Sequence, residues 1–358
     1  MLGLAAAVLP CGNEGGETNT TMHFPDTRYM GSKRKLLPAL DEIFAQLKFS
    51  SALDAFSGTS SVGYLLKQRG KRVHANDYLK FNHLIAKALI ENSRVRLSDT
   101  EVAELVEPNA DAGDFIAREF SGLYFSRRDC RWLDSVSHNI GFLDGEHKKA
   151  LALAALCRAC IKKRPRGIFT YTGMRYDDGR KDLTTSMNDH FRAAVHSFNE
   201  AVFSNGLANS ASNHDIMHFA KADYDLVYLD PPYFSLKSDN EYSRRYHFLE
   251  GLVSYWSHVQ IDYGTKTKKI ARVDSAFTHR NQIEGAFAQL FDRYKKSQLV
   301  VSYSNNCFPD AKLMKSLLRE AGKVVELIEL DHVYSVGTHA HKKNNANNRV
   351  SEYVFLGL

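Results

Sequence analysis

Apolar residues along the chain fall into two recurring patterns, and the patterns alternate. Ser51–Phe56 is an apolar run of strand length, and Thr59–Arg69 carries apolar residues at helical spacing. Arg72–Ala75 and Phe81–Asn92 repeat the pair as a second strand and a second helix. The pattern returns late in the chain. Tyr224–Leu229 (YDLVYL) predicts a buried strand, Arg280–Lys296 a helix, Gln298–Ser304 a strand and Asp310–Ala321 a helix. Val324–Leu330 and Tyr353–Leu356 predict two closing strands, and the long polar loop between them suits an antiparallel pair. Strands and helices alternating at this spacing predict an α/β fold with a parallel sheet. Ser93–Ser212 does not alternate and holds the helix-like stretches Ala150–Lys163 and Asp189–Phe203. The expected organisation is a flexible leader over 1–22, one α/β domain over 23–92 and 213–358, and an inserted module over 93–212.

Composition narrows the class. The 358 residues are 44% hydrophobic and 25% charged, which excludes wholesale disorder. The longest apolar run, Ala150–Cys157, is far short of the ~20 residues of a membrane span, so no membrane partner is expected. Five scattered cysteines are no disulfide framework. Cys157 and Cys160 form one CxxC without a second pair, so two thiols on a buried helix face are expected and no metal site. Leu2–Pro10 is apolar, yet no basic residue precedes it, so it is not a signal peptide; Met22 is an alternative start. The reducing cytoplasm is the expected location. The net charge is +6, and the stretch Arg158–Lys181 alone has eight cations against two acids. Either a solvated basic surface or a nucleic-acid contact fits that cluster.

Four motifs carry candidate chemistry. Asp230-Pro231-Pro232-Tyr233 follows the strand Tyr224–Leu229, and ligands of open α/β sheets sit beyond the carboxyl ends of the strands. A carboxylate, carbonyls freed by a stiff Pro-Pro turn and a flat aromatic face suit a planar ring with an exocyclic amine. A strand ending in a Pro-rich turn is the bland alternative. Leu53–Gly63 (LDAFSGTSSVG) runs from a strand through a small-residue turn into a helix, and Gly58 allows close backbone approach. It matches neither the dinucleotide fingerprint nor the phosphate loop, so it suits a nucleoside ligand without a phosphate chain. Asp77 stands 19 residues after Gly58, where such sheets hold ribose hydroxyls; an Asp capping the next helix is the alternative. Arg28–Leu37 (RYMGSKRKLL) offers Tyr29 as a flat face and Lys33 as a cation, or else is a solvated basic helix start.

YMGSK, DAFSG, NDY and DPPY in this order resemble the D12 class of N6-adenine-specific DNA methyltransferases, with the Dam-like, α-type order of motifs. The resemblance covers most of Arg28–Tyr233 and the closing strands. It implies a Rossmann-like S-adenosylmethionine-dependent methyltransferase sheet with an inserted target-recognition module. It further implies S-adenosyl-L-methionine as cofactor, double-stranded DNA as partner, and a base flipped out of the duplex for methylation. On that resemblance, Tyr29, Lys33, Phe56, Gly58, Asp77, Asp215 and Asp230 are the expected cofactor residues. Asp54 partly matches the family's first-strand acid, and Asp230, Pro231, Pro232 and Tyr233 are the expected catalytic set. Lys162, Lys163, Arg164, Arg166, Arg175 and Arg180 are the expected DNA contacts, with the loops Lys266–Arg272 and Gly337–Arg349 as further candidates. The expected role is that of a modification methylase, for which a cognate restriction endonuclease would act separately. Methylation of RNA, or an inactive nucleic-acid-binding protein on the same fold, are the alternatives.

Overall fold

The computed structural model describes residues 24–25, 27–173, 177, 179–220, 222–234, 241–333 and 349–358. The Met1–Thr20 leader, Arg175 and nearly all of the Gly337–Arg349 loop, among the expectations above, lie outside the described residues. After a 3-10 turn at Lys33–Leu36, α1 (Leu37–Gln46) starts with a proline in its first turn. Then follow β1 (Ser51–Asp54), α2 (Ser61–Gln68), β2 (Arg72–Asn76) and α3 (Lys80–Ala86), which continues as a π turn over Lys87–Glu91. Six helices come next: α4 (Asp99–Val106), α5 (Phe115–Phe120), α6 (Arg127–Gly141), α7 (Glu146–Lys162), α8 (Lys181–Thr184) and α9 (Met187–Ala201). The chain returns to the sheet through β3 (Ser210–Ser212) and β4 (Leu226–Leu229). It leaves again for α10 (Tyr242–Arg245), α11 (His247–Leu252) and a hairpin of β5 (Ile261–Asp262) and β6 (Lys269–Ile270). It ends with α12 (Ile283–Arg293), β7 (Gln298–Ser304), α13 (Ala311–Glu320), β8 (Val325–Val333) and β9 (Arg349–Gly357).

Seven strands form one sheet in the order β3-β2-β1-β4-β7-β9-β8. The first five are mutually parallel, and β9 runs antiparallel between β7 and β8, so the two closing strands pair as their loop suggested. β1 and β4 are buried along their whole length, the pattern of strands covered on both faces. Alternate residues serve two cores. Ala52, Tyr228 and Val300 face one, while Leu53, Val227 and Leu299 face the other beneath α12 and α13. Strand order reverses between β1 and β4, where a crevice opens beyond the strand ends.

The last three residues of the expected insert, Ser210–Ser212, form the edge strand β3, parallel to β2. Three residues with small side chains, Ser-Ala-Ser, give no apolar signature, so the periodicity does not reveal this strand. The helices form a layer against α3. α7 is buried nearly all round, with Cys157 and Cys160 both in the core as free thiols. α11, from beyond DPPY, joins the layer, and its Glu250 carboxylate accepts from the Lys80 and Phe81 N–H groups at the start of α3 (2.9 and 3.2 Å). No helix among the described residues is long and apolar enough to cross a membrane.

Arg164, expected on the DNA-facing surface, is instead fully buried. Its guanidinium donates to the carbonyls of Gly173 and Tyr171 (2.9 Å each) and Tyr124 (3.3 Å), between the rings of Tyr124 and Tyr171. A five-donor fork can satisfy turn carbonyls that no helix or strand partners, which explains a cation in this core. Arg164→Ala should therefore act on stability, since several buried carbonyls lose their donor at ~1–3 kcal/mol each. The expected result is a loss of several degrees in melting temperature, read by thermal unfolding. Parental stability would return Arg164 to the surface.

Candidate active site

The crevice is built by the ends of three parallel strands. β1 ends at Asp54 and runs into a turn in which Gly58 has φ +49° and Ser60 φ +62°. Asp54 Oδ2 accepts from the Gly63 N–H in the first turn of α2 (3.0 Å). β2 ends just before Asp77, whose two oxygens accept from the Gly58 N–H (2.8 Å) and the Leu79 N–H (2.9 Å). Asp77 thus braces the glycine turn from the neighbouring strand and still lines the crevice. β4 ends just before Asp230. The result is a solvent-open cleft at the strand ends.

The segment before α1 closes the cleft from the side. Tyr29 stacks on Tyr246 (centroids 4.8 Å apart) and Tyr242 (5.6 Å), and its hydroxyl accepts from Asn82 (3.1 Å). Gly31 has φ +76°, and a side chain there would begin 2.4 Å from the Tyr242 hydroxyl. The basic helix start is therefore no solvated surface at Lys33. This side chain is 3% exposed, and its Nζ lies 2.7 Å from Asp230 Oδ1 and 3.5 Å from a Glu352 oxygen.

Tyr29, Lys33, Phe56, Gly58, Asp77, Asp230 and Pro232 all line this cleft. Asp215 lies on an adjoining smaller cavity that shares Phe56, Tyr78 and Pro232 with it. Its carboxylate also caps the short helical turn Ile216–His218 by accepting from the Met217 N–H (2.9 Å). Pro231 and Tyr233 are not among the lining residues. The Tyr233 ring meets Tyr303 edge-on at 5.0 Å, and its hydroxyl bonds Asp230 Oδ1 (3.1 Å) and a Glu352 oxygen. Of the basic stretch, Lys162 pairs with Asp182 (3.5 Å) and Lys163 donates to the Thr185 carbonyl (2.7 Å). Arg180 donates to the Arg164 carbonyl, and Arg166 is half-buried.

Sequence reasoning missed Glu352, Tyr242 and Asn82. Glu352 had a signal: it is the one acid of the closing strand and directly precedes its apolar run Tyr353–Leu356. Tyr242 and Asn82 had none, because each reaches the cleft only through helix packing.

Burial dominates the electrostatics. It pushes the Asp230 carboxyl up to about 6, with the Lys33 ammonium drawing it down and the Glu352 charge opposing. Burial likewise pushes Asp77 up to about 6 and Asp54 to about 8, against their backbone hydrogen bonds. Asp54 Oδ1, Ser57 Oγ and Asn82 Oδ1 are buried without a hydrogen-bond partner among the described residues, and all three residues line the cleft. Unsatisfied buried polar atoms gathered in one cleft call for a polar ligand.

Comparison with known proteins agrees with this geometry. The family described as D12 class N6 adenine-specific DNA methyltransferase matches residues 29–336. Type II methyltransferase M2.HphI of Haemophilus parahaemolyticus is 30% identical over 350 residues, covering 93% of this chain and 97% of that protein. Type II methyltransferase M.FokI of Planomicrobium okeanokoites is 24% identical over 92% of this chain. Modification methylase StsI of Streptococcus sanguinis is 26% identical over 82% of it. The chain spans about half the length of these last two, 52% and 46%.

The raised acids set a pH dependence. A carboxyl that titrates higher folded than unfolded holds its proton more tightly in the native state. Its stabilising effect is complete below its unfolded value and is lost as the pH rises through its folded one. For Asp54 that window runs from the ordinary carboxylate range to about 8. Without ligand, Asp54→Asn should melt above the parent by a margin that widens from pH 5 to pH 8. A constant margin in thermal melts would show that Asp54 is ionised throughout.

Proposed function

The chain belongs to the D12 class of N6 adenine-specific DNA methyltransferases, and from that premise we propose how its own residues carry the reaction. It is a site-specific DNA methyltransferase acting on adenine, on a Rossmann-like α/β fold. The observation that supports the residue assignment is Asp230: a carboxylate at the end of β4, in the cleft, beside the gathered unpartnered atoms.

The family implies S-adenosylmethionine, which when bound supplies an electrophilic methyl on a sulfonium. The cleft suits that group. Its acids answer cationic groups, and Asp77 sits where a diol can be held. Tyr29, Lys33, Phe56 and Gly58 would shape its walls, and Asp215 borders the adjoining cavity that extends it. The unpartnered Asp54 Oδ1 would gain a hydrogen-bonding partner there.

The adenine N6 lone pair is delocalised into the ring, which makes the amine a poor nucleophile. Asp230, accepting an N–H from that amine, localises the lone pair for attack, and Pro232 of the same turn lines the cleft beside it. This is catalysis by positioning and electrostatics, without a covalent enzyme intermediate. Asp230 must be ionised to accept, and a carboxyl at about 6 is mostly ionised at neutral pH. The base must leave the duplex to enter a cleft at the strand ends. Lys162, Lys163 and Arg166, at and beyond the end of α7, remain the candidates for phosphate contact in the inserted module. The names of the relatives support a modification methylase; a separately acting endonuclease and a reducing cytoplasm belong to the same proposal.

Asp230→Ala should retain its fold and lose ~10²–10³ in methyl transfer, the usual consequence of removing one acceptor aimed at the transition state. Mass analysis of methylated DNA checks this, and near-parental turnover would sink the assignment. Asp77→Ala should weaken binding of S-adenosylmethionine about tenfold to a hundredfold, the equivalent of ~1.5–3 kcal/mol of charge-assisted hydrogen bonding. If calorimetry finds an unchanged affinity, Asp77 serves the glycine turn alone.

A further inference from the structure

The final strand brings a buried acid to the site. Glu352 is fully buried on β9, opposite Ser304 of β7 and Leu330 of β8, and is followed by Val354, Phe355 and Leu356 in the core. Burying a carboxylate costs several kcal/mol unless it is paired and hydrogen-bonded. Its partners among the described residues include Lys33, at 3.5 Å, and the Tyr233 hydroxyl. Those two groups are also the contacts of Asp230, at 2.7 Å and 3.1 Å, and both use Oδ1. Lys33 Nζ stands 4.9 Å from the centre of the Tyr233 ring and donates to the Gly31 carbonyl (3.2 Å).

We propose that Glu352 is a positioning residue, which holds the Tyr233 phenol and the Lys33 ammonium and through them turns Asp230 Oδ2 toward the target amine. This rests on the reading of Asp230 as the acceptor. The Tyr233 ring lies against Tyr303 rather than along the cleft, so its hydroxyl acts on the carboxylates. That hydroxyl has one proton for two carboxylates, and the Lys33 ammonium bridges the same pair. Rotation of Asp230 about its side chain therefore breaks contacts that Glu352 anchors from two strands away. The cluster also sets charge: two carboxylates face one ammonium, with Asp54 on β1, Tyr228 on β4 and Tyr242 on α10 as the other titratable groups acting on Asp230 or acted on by it. The Glu352 charge raises the Asp230 carboxyl, so its removal lowers that carboxyl.

The test uses Glu352→Gln, Glu352→Ala, Tyr233→Phe and the double variant Glu352→Ala/Tyr233→Phe in the full chain. Glu352→Gln keeps an acceptor and loses the charge. Its Asp230 carboxyl, followed by carbon NMR without ligand, and the acid limb of its kcat/KM profile should both move to lower pH. Glu352→Ala and Tyr233→Phe should each lower kcat by about tenfold to a hundredfold with KM for DNA little changed. The double variant should be slower than either single but by less than the product of the two losses, because the phenol contact is shared and the Lys33 contact is not. An unmoved Asp230 titration together with parental kcat in Glu352→Gln would overturn the proposal. So would a loss that merely tracks melting temperature. If Glu352→Ala does not fold, Glu352→Gln decides alone. Failure here with an inactive Asp230→Ala leaves the acceptor reading standing, whereas turnover in Asp230→Ala overturns that reading and this proposal with it.

Discussion

The contact between Lys33 and Asp230 is the constraint around which the site is arranged. One partner precedes the first helix of the sheet domain and the other ends a central strand, so the pair forms only when the fold is complete. Both are largely out of water, where an ammonium or a carboxylate alone costs several kcal/mol. Each therefore stabilises the other, with Glu352 and the Tyr233 hydroxyl as further partners, and the segment Tyr29–Lys33 is held against the end of β4. The same contact keeps Asp230 ionisable despite its burial, because the ammonium opposes the desolvation that raises its titration. A glycine at 31 is needed for this approach, since the backbone there is left-handed and close to the Tyr242 hydroxyl.

The sheet explains why such a pair lies where a ligand can reach it. Parallel strands β1, β2 and β4 end on one side, and the reversal of order between β1 and β4 parts the connections that would otherwise cover their ends. Asp54, Asp77 and Asp230, each at or just beyond one of these strand ends, converge on one cleft although the chain separates them widely. Their raised titrations follow from that shared burial. A site that gathers acids and unpartnered polar atoms is less stable empty than it need be, and a cationic, hydrogen-bonding ligand relieves the cost.

The helical layer does not hang from the sheet as a separate body. α7 packs on α3 and α9, and α11 enters the same layer from beyond DPPY, its Glu250 carboxylate holding the start of α3. Tyr242 and Tyr246, on and just after α10, stack on Tyr29 of the cleft wall. The layer thus shares side chains with the site.

The sequence by itself determined the alternating elements, the antiparallel closing pair and the membership of the D12 class. Those follow from periodicity and from short motifs, which are local. Gln298–Ser304 was legible to the residue, and the carboxyl-end location of Asp77 and Asp230 followed from where their apolar runs end, whereas β1 stops at Asp54, two residues before its apolar run does. Only the tertiary structure decided what long-range neighbours do to a side chain. Arg164 reads as one more surface cation in a basic stretch, yet the carbonyls of Tyr171 and Gly173, folded back over it, and of Tyr124, 40 positions away, take it into the core. Tyr233 reads as a stacking face, yet Tyr303 and Glu352 turn it toward the carboxylates. Glu352 comes into play only because β9 inserts beside β7 and brings an acid to a motif 119 positions away. Burial, and with it the charge state of every acid in the cleft, is a property of the assembled neighbours and not of the residue that carries the charge.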